Sequence, residues 1–530
     1  MYDYVIVGAG SAGCVLANRL SEDPDVSVCL VEAGPPDTEE GLHIPVAFSQ
    51  LYKTPFDWDF ATEPEPALDG RNVYLPRGRV LGGSSSLNAM IYIRGNRRDY
   101  DEWRDLGNPG WGWDDVLPYF KRAEDNERGA SEFHGAGGPL SVSDSHSMHP
   151  IADAFVEAAA ATGLDRLDDF NTGEQDGVGR YQMTQRNGMR CSTAVAYLHP
   201  ALPRENLTLI PMALVTRVLF DDSRASGVEA VIDGTPQALE ASREVILCAG
   251  AYQSPQLLML SGIGPADDLT ALGIEVRLDQ PAVGGNLQDH LNAGIILFTD
   301  DPTTLETAET EENVALLQTQ GRGPLTSNIA EAGGFWRSRD GLEAPDIQFH
   351  FAPVMFADEG LLDPFDHAYS YGVCVVRPTS RGSVSLRSAD PADKPRIVHN
   401  YLTTEDDWAA TIAGIRRCLE IREQSPLKGY ERAPYEVPDG DSDEAIRAHV
   451  REKSHDIYHP TSTCAMGSVV DAELRVRGVD GLRVVDASVM PAVPRGNTNA
   501  PTIAIAERAA DLIRGRAPLR LRAEEADQTA

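Results

Sequence analysis

The beginning of the chain alternates between short apolar runs and a helical pattern. Residues 3–7 and 27–31 are apolar runs of the kind that forms buried strands. Residues 14–20, which lie between them, have apolar side chains at helical spacing. A strand, a helix and a second strand in this order predict the start of a parallel α/β sheet.

The same two patterns return later in the chain. Apolar or alternating runs predict strands at 207–210, 244–249, 346–351, 382–387 and 482–486, and helical spacing predicts helices at 409–422 and 500–512. Residues 303–315 are rich in threonine and glutamate, and we expect a loop there. Because alternating strands concentrate between residues 300 and 455, a second domain inserted into the first is indicated.

Composition narrows the class of protein. The 530 residues exceed one compact domain, and 81 acidic residues against 46 basic ones give a net charge of −35. Such a surface repels nucleic acid, so we expect no nucleic-acid partner. The charge favours adaptation to concentrated salt, where repulsion is screened, and codon bias in a GC-rich genome is the alternative.

Cysteines and apolar stretches bear on location. The seven cysteines are scattered and odd in number, which is typical of free thiols in a reducing compartment. No stretch of about 18 apolar residues predicts a membrane span, and no signal peptide is evident at the beginning. We therefore expect a cytoplasmic protein, with peripheral contact at the inner face of the membrane as the alternative.

A glycine motif follows the first predicted strand. Gly8 suits a tight turn, Gly10 lets the backbone approach a pyrophosphate, and Gly13 lets helix and strand pack closely. Ser11 and Ala12 begin the helix, whose N-terminus binds anions. The alternative is an ordinary glycine-rich turn, but the flanking strands and helix favour a Rossmann-type dinucleotide site.

The acid after the second strand completes that motif. Glu32 follows the apolar run 27–31, where a carboxylate can accept a hydrogen bond from a ribose hydroxyl. The motif alone does not choose between NAD and FAD. The segment 262–267 has two glycines, but it lacks the third and carries Pro265. We therefore expect one dinucleotide and no separate nicotinamide site.

A histidine far downstream is the candidate for proton transfer. His459 stands in the segment 456–467, and the ordinary histidine pKa of about 6.5 suits a base at neutral pH. A buried histidine that caps a turn is the alternative. His455 lies four residues earlier, but no glutamate lies between the two and Pro460 interrupts a helix, so we expect no metal site.

Five ordered segments make the chain similar to a known family. They are PRGRVLGGSSSLNAM at 76–90, GAYQSPQLLMLSGIG at 250–264, VGGNLQDH at 283–290, YHP at 458–460 and GNTNAPT at 496–502. Together with the glycine motif they resemble the glucose–methanol–choline (GMC) oxidoreductases over nearly the whole chain. Within that family the chain looks most similar to choline dehydrogenases and to dehydrogenases of aliphatic primary alcohols.

The resemblance implies the cofactor and the architecture. It implies FAD, an α/β fold (α+β overall) and a discontinuous Rossmann-type FAD-binding domain. An inserted substrate-binding domain would be built on an antiparallel sheet. The expected boundaries are 1–155, 200–300 and 456–530 for the FAD-binding domain, and 156–199 and 301–455 for the substrate-binding domain.

The resemblance also implies cofactor-binding residues. Besides the glycine motif and Glu32, the expected FAD contacts are Gly82, Gly83, Ser84, Asn88, Ala89, Val215, Asp486 and Ala487. Outside the family context, Gly82 and Gly83 would be a plain turn and Asp486 a helix cap. Some relatives attach FAD through a histidine of the first segment. Leu87 stands at that position, so we expect non-covalent FAD.

The activity implied by the resemblance is oxidation of a primary alcohol to an aldehyde. His459 would take the hydroxyl proton, Asn499 would hydrogen bond the same oxygen, and hydride would pass to flavin N5. Electrons would pass to a quinone or to an artificial, non-NAD acceptor. The alternatives are a choline dehydrogenase with the same chemistry, an oxygen-using oxidase, and a hydroxynitrile-lyase-type flavoprotein without redox chemistry.

Overall fold

The computed structural model describes residues 1–520 as a mixed α/β protein organised around two seven-stranded sheets. Residues 521–530, the last ten of the predicted FAD-binding domain, lie outside the described residues. The helices and the shorter two-stranded sheets cover the faces of the two large sheets and the connections between them.

The first sheet contains the parallel strands that the beginning of the chain predicts. Tyr2–Val7 pairs with Val28–Val31 on one side and with Thr235–Leu247 on the other, and all three run parallel. Val28–Val31 is buried along its whole length, as expected of a parallel strand with both faces covered. The remaining strands of this sheet are Leu207–Ile210, Ala213–Asp221, Arg224–Ile232 and Leu482–Val484.

The second sheet is antiparallel throughout. Leu291–Phe298 and Ala368–Val375 form its centre, and Ala368–Val375 is buried at all eight positions. The other strands are Gly177–Arg180, Ala332–Trp336, Ile347–Ala352, Ala433–Glu436 and His455–Asp456. The prediction of a parallel sheet combined with an antiparallel second sheet is therefore confirmed.

Two groups of helices cover these sheets. Ser11–Leu20 packs against Asn499–Ile513, which also contacts Trp113–Ala123, and Glu405–Arg422 covers the strand Ala368–Val375. The other α-helices are Arg97–Asp105, Pro150–Ala161, His199–Ala201, Gly250–Leu260, Ala266–Ala271, Glu311–Gln320, Ser425–Lys428 and Asp443–Lys453. Among residues 1–520, none of the helices combines the length and the apolar character needed to cross a bilayer.

Two local predictions differ from the structure. The expected boundary at residue 300 assigns Leu291–Phe298 to the first domain, but that strand is hydrogen bonded within the second sheet. Its apolar run indicates a buried strand without indicating which sheet it joins. The expected loop at 303–315 contains the start of the helix Glu311–Gln320, because the Thr310 side chain accepts a hydrogen bond from the Asn313 amide and caps it.

Candidate active site

A cavity of about 380 Å³ lies where the two sheets face each other. The first sheet contributes Val31 and Val215, and the second contributes Ile296 and His350. His459 lies in the same cavity. The carboxyl ends of the parallel strands therefore open onto the candidate base, which is where open α/β sheets bind their ligands.

The glycine turn at this cavity has the geometry that the sequence predicts. Gly8 has a φ of 97°, and a Cβ there would lie 2.6 Å from the Cys248 carbonyl oxygen. A Cβ on Gly13 would lie 1.9 Å from the Gly8 carbonyl oxygen, so Gly13 permits close packing and does not line the cavity. Gly10, Ser11 and Ala12 do line it.

The start of the first helix suits a pyrophosphate. The N-cap residue of Ser11–Leu20 is Gly10, so no side chain caps the first backbone N–H groups, and the first turn contains no acidic residue. Unpaired N–H groups and the positive end of the helix dipole attract an anion at this position. These features fit the phosphates of a dinucleotide.

Glu32 holds the same turn together. One carboxylate oxygen accepts from the Ala9 amide and the other from the Gly34 amide, each at 2.8 Å. Burial raises the pKa of Glu32, and the backbone donors oppose that rise. Each oxygen keeps a further lone pair for a ribose hydroxyl, and both Glu32 and Val215 line the cavity.

The segment 76–90 packs against the glycine turn. The Gly82 amide donates to the Ala9 carbonyl at 2.8 Å, and a Cβ on Gly83 would lie 2.6 Å from the Gly10 Cα. Only glycine at position 83 lets the two backbones approach this closely. Gly83 lines the cavity, whereas Gly82 does not. Ser84, Asn88 and Ala89, which follow in the same segment, line the cavity.

A buried arginine that the sequence analysis did not identify holds this segment. Arg190 Nη1 donates to the Asn88 side-chain oxygen at 3.0 Å and to the Asn88 backbone carbonyl at 2.6 Å. Burial lowers the pKa of Arg190 to about 9. The motif 76–90 gives no indication of this partner, because Arg190 lies on a separate short strand, Met189–Arg190.

Asp486 is occupied by hydrogen bonds within the protein. Its Oδ1 accepts from the Ser488 amide and hydroxyl, and its Oδ2 accepts from the Gly250 amide and the Ser254 hydroxyl, at 2.5 to 2.9 Å. The side chain thus caps a short turn, as the simpler alternative for this residue expected. Asp486 and Ala487 also line the cavity, so the turn itself faces the ligand space.

His459 is fixed at three points. Its backbone amide donates to Asp289 Oδ1 at 2.7 Å, its Nδ1 lies 3.0 Å from His290 Nδ1, and its Nε2 lies 3.1 Å from Asn497 Nδ2. The preceding Tyr458 has a φ of 71°, a strained value for a residue with a side chain. Such strain is common where a side chain must be aimed at a ligand.

The surroundings of His459 keep its imidazole neutral. Burial is the main cause that lowers its pKa well below 6.5, and the neighbouring His290, His350 and Arg77 act in the same direction. A neutral imidazole has one nitrogen that accepts a proton. His459 is therefore in the state that a general base requires.

The predicted partner of His459 needs correction. Asn497, and not Asn499, lies within hydrogen-bonding distance of His459. The Asn499 side chain instead accepts from the Ser11 hydroxyl at 2.7 Å, although it lines the same cavity. The reason is that the last helix begins at Asn499, which turns this side chain toward the glycine turn. The sequence shows two asparagines and does not show where the helix starts.

A buried acidic group supports the loop that carries His459. Asp289, His399 and Asp456 place ligand-type atoms within 4.8 Å of one another. Asp456, however, accepts from the Tyr401 hydroxyl at 2.8 Å and from the Tyr458 amide at 2.7 Å. Burial and repulsion by Asp456 raise the pKa of Asp289 well above its usual range. These carboxylates therefore hold the backbone around the base.

The fold and the cavity have the layout of a dinucleotide-binding oxidoreductase, with His459 as the candidate base. Models of the N-terminal and C-terminal parts of the GMC oxidoreductases match residues 2–292 and 378–506. The chain therefore belongs to the GMC oxidoreductase family, as the motifs predict. It is an enzyme of that family, and its cofactor is FAD.

Individual relatives agree with this assignment. The chain is 47% identical to the mitochondrial choline dehydrogenase of Homo sapiens, over 98% of this chain and 90% of the relative. It is 44% identical to an alcohol dehydrogenase [acceptor] of Pseudomonas putida, over 97% of this chain and 96% of the relative. The crystal structure of pyridoxine 4-oxidase from Mesorbium loti superposes with a TM-score of 0.90 at 35% identity, covering 98% and 100% of the two chains.

Proposed function

We propose that this enzyme oxidises a primary alcohol to an aldehyde and passes the electrons to a quinone or another non-NAD acceptor. The observation that carries the proposal is the pair His459 and Asn497, which faces a cavity shared with the glycine turn. The similarity to an alcohol dehydrogenase [acceptor] supports the same substrate class.

His459 and Asn497 have different roles toward the alcohol. The Asn497 amide nitrogen lies 3.1 Å from Nε2 of His459. An alcohol oxygen that replaces this contact and lies against both groups would donate its proton to His459 Nε2 and accept from the Asn497 N–H. General-base assistance of this kind contributes roughly 10²–10⁴-fold to the rate. The amide stabilises the negative charge that develops on oxygen as its proton leaves.

FAD, when bound, supplies the hydride acceptor at its flavin ring. The N-terminus at Gly10 would hold its phosphates, and Glu32 would hold its ribose. We infer that the attachment is non-covalent, because Leu87 occupies the position where the expected linking histidine would stand and has no nucleophilic atom. Burial of Leu87 in the cavity wall gives it an apolar contact role instead.

Choline is the second candidate substrate, and similarity to a choline dehydrogenase favours it. A quaternary ammonium group needs a carboxylate or an aromatic cage in reach. Glu331, whose sequence position beside the cavity residues 329–330 suggests that role, does not fill it: it is buried, accepts from the His149 amide and the Ser327 hydroxyl, and does not line the cavity. Asp358 and Glu436 do line the cavity and are carboxylates that a cation could meet there.

Anaerobic mixing separates these functions. The FAD-loaded enzyme is mixed with n-alkanols, benzyl alcohol or choline, and flavin absorbance is followed without oxygen. We expect an alkanol or benzyl alcohol to bleach the flavin, His459→Gln to slow bleaching by roughly 10²–10⁴-fold, and a quinone to restore colour faster than air. Bleaching by choline alone would replace the primary-alcohol assignment with the choline one. Rapid recovery in air would indicate an oxidase, and no bleaching by any alcohol would contradict the redox function.

A further inference from the structure

A chain of buried hydrogen bonds leads from the second sheet to the candidate base. The Tyr181 hydroxyl donates to the Phe349 carbonyl at 2.6 Å. Gln348 Nε2 lies 3.2 Å from the Tyr181 oxygen and 3.1 Å from Asn497 Oδ1. Asn497 Nδ2 then reaches His459 Nε2. Gln348 and Tyr181 are fully buried and do not line the cavity, and Asn497 is the cavity residue to which Gln348 is hydrogen bonded.

The direction of this chain is set at its far end. A backbone carbonyl only accepts hydrogen bonds, and a phenol has a single proton to donate. The Tyr181 hydroxyl therefore donates its proton to the Phe349 carbonyl and can only accept from Gln348. Gln348 must therefore donate to Tyr181 through its amide nitrogen. The second proton of that nitrogen is donated to Asn497, which fixes the Asn497 oxygen toward Gln348. The Asn497 nitrogen is left to face His459.

The orientation of Asn497 determines the tautomer of His459. An N–H that points at Nε2 requires Nε2 to be without a proton, so the neutral imidazole carries its proton on Nδ1. That proton is shared with His290 Nδ1, 3.0 Å away. The reversed amide would present an oxygen to Nε2, favour a proton there, and remove both the base and the donor for the alcohol oxygen.

We propose that Gln348 is a positioning residue that holds the Asn497 amide in its working orientation and thereby keeps Nε2 of His459 free to accept a proton. This inference rests on the proposed function of His459 and Asn497. A further observation supports it: Gln348 Oε1 is buried and has no hydrogen-bond partner within residues 1–520. A buried oxygen without a hydrogen-bond partner lowers the stability of the fold. The hydrogen bonds of Gln348 are therefore made by its nitrogen, to Tyr181 and to Asn497.

A double-variant cycle tests the proposal. Gln348→Met keeps a similar volume and removes the donor. We expect it to slow anaerobic flavin reduction about tenfold, the effect of losing one ordinary hydrogen bond, with KM nearly unchanged. In an Asn497→Ala background the same substitution should change the rate less than about twofold, because no amide remains to be positioned. Equal losses in both backgrounds, or no loss in either, would overturn the proposal.

Control variants address folding. Tyr181→Phe removes the acceptor for Gln348 and should give a smaller loss in the same direction. Tyr369→Phe is the matched control, because Tyr369 is a buried tyrosine of the same sheet whose hydroxyl has no hydrogen-bond partner in the described chain. It should leave the rate unchanged. An equal loss in the Tyr369 variant would attribute the effect to the sheet as a whole and count against Gln348.

A readout without substrate separates this proposal from the proposed function. ¹⁵N NMR of the FAD-loaded enzyme, with the His459 signals assigned by their absence in His459→Gln, reports which ring nitrogen is protonated. We expect the Nδ1-protonated form in the native enzyme and a mixture of tautomers in Gln348→Met. An unchanged tautomer in that variant would refute the positioning role even if alcohols reduce the flavin. The shift would support it even if no tested alcohol reacts.

Discussion

The Asn497 amide nitrogen lies 3.1 Å from Nε2 of His459. His459 lies on the connection between the two sheets, and Asn497 lies on the segment that leads from the last strand to the last helix. Asn499, two positions later, is hydrogen bonded to Ser11 on the glycine turn. Two asparagines of one short segment therefore face different parts of the cavity. In the proposed function Asn497 acts on the alcohol oxygen, whereas Asn499 joins the last helix to the cofactor turn.

Substitutions at these asparagines should have unequal effects. We expect Asn497→Ala to lower kcat by roughly 10²-fold, the size found when one donor to a developing oxyanion is removed. Asn499→Ala should reduce FAD affinity and change the rate of flavin reduction at saturating FAD less than about threefold. Stopped-flow reduction and FAD titration measure the two effects. A larger rate loss for Asn499→Ala would return it to the role the sequence suggested.

The activity should have its acidic limit well below pH 6.5. The pKa of His459 is lowered by burial and by His290, His350 and Arg77, so the residue is the neutral base at every pH above that lowered value. The pH profile of kcat/KM should stay level from pH 8 down through 6.5 and fall only at more acidic pH. A limb at or above pH 7 would mean that His459 is protonated at neutral pH or is not the base.

FAD should leave the protein on denaturation. Since Leu87 offers no atom for a covalent link, acid precipitation should release all flavin into the supernatant. Absorbance of the supernatant and the pellet measures the partition. Flavin retained in the washed pellet would contradict non-covalent binding and would point to another attachment residue.

Glu331 should make stability depend on pH. Burial raises its pKa from 4.5 to about 7, so the folded state keeps a proton that the unfolded chain has released. Its contribution is therefore lost as pH rises from 4.5 to 7, on the order of 3 kcal/mol in total. Glu331→Gln should raise the melting temperature relative to the native enzyme at pH 8 and much less at pH 5. An equal change at both pH values would contradict this assignment.

Salt should stabilise the enzyme. A net charge of −35 repels itself, and molar salt shortens the screening length to about 3 Å. We expect the melting temperature to rise between 0.1 and 2 M KCl. Sulfate is avoided because it stabilises most proteins by exclusion from their surface, whatever their charge. The same melting temperature at both concentrations would leave codon bias as the explanation of the acidity.

Local patterns could be predicted from the sequence, and contacts across the chain could not. The turn at Gly8, the strand before it and Glu32 follow from spacing within one short segment. His459 could be predicted because it lies in the motif YHP at 458–460. Gln348 looks like any polar residue in a strand, and only the packing of the second sheet brings it to Asn497. The Thr310 cap did leave a signal, a threonine before two glutamates, which the composition of that segment obscured.

The hydrogen bond from Ser11 to Asn499 joins the two extremes of the described chain. The helix that begins at Ser11 packs on the helix that begins at Asn499, so the cofactor turn is made first on the ribosome and completed last. Until the last helix has been synthesised, the part of the first helix that it covers has no such partner. The cofactor site is therefore completed only after nearly the whole chain has been made.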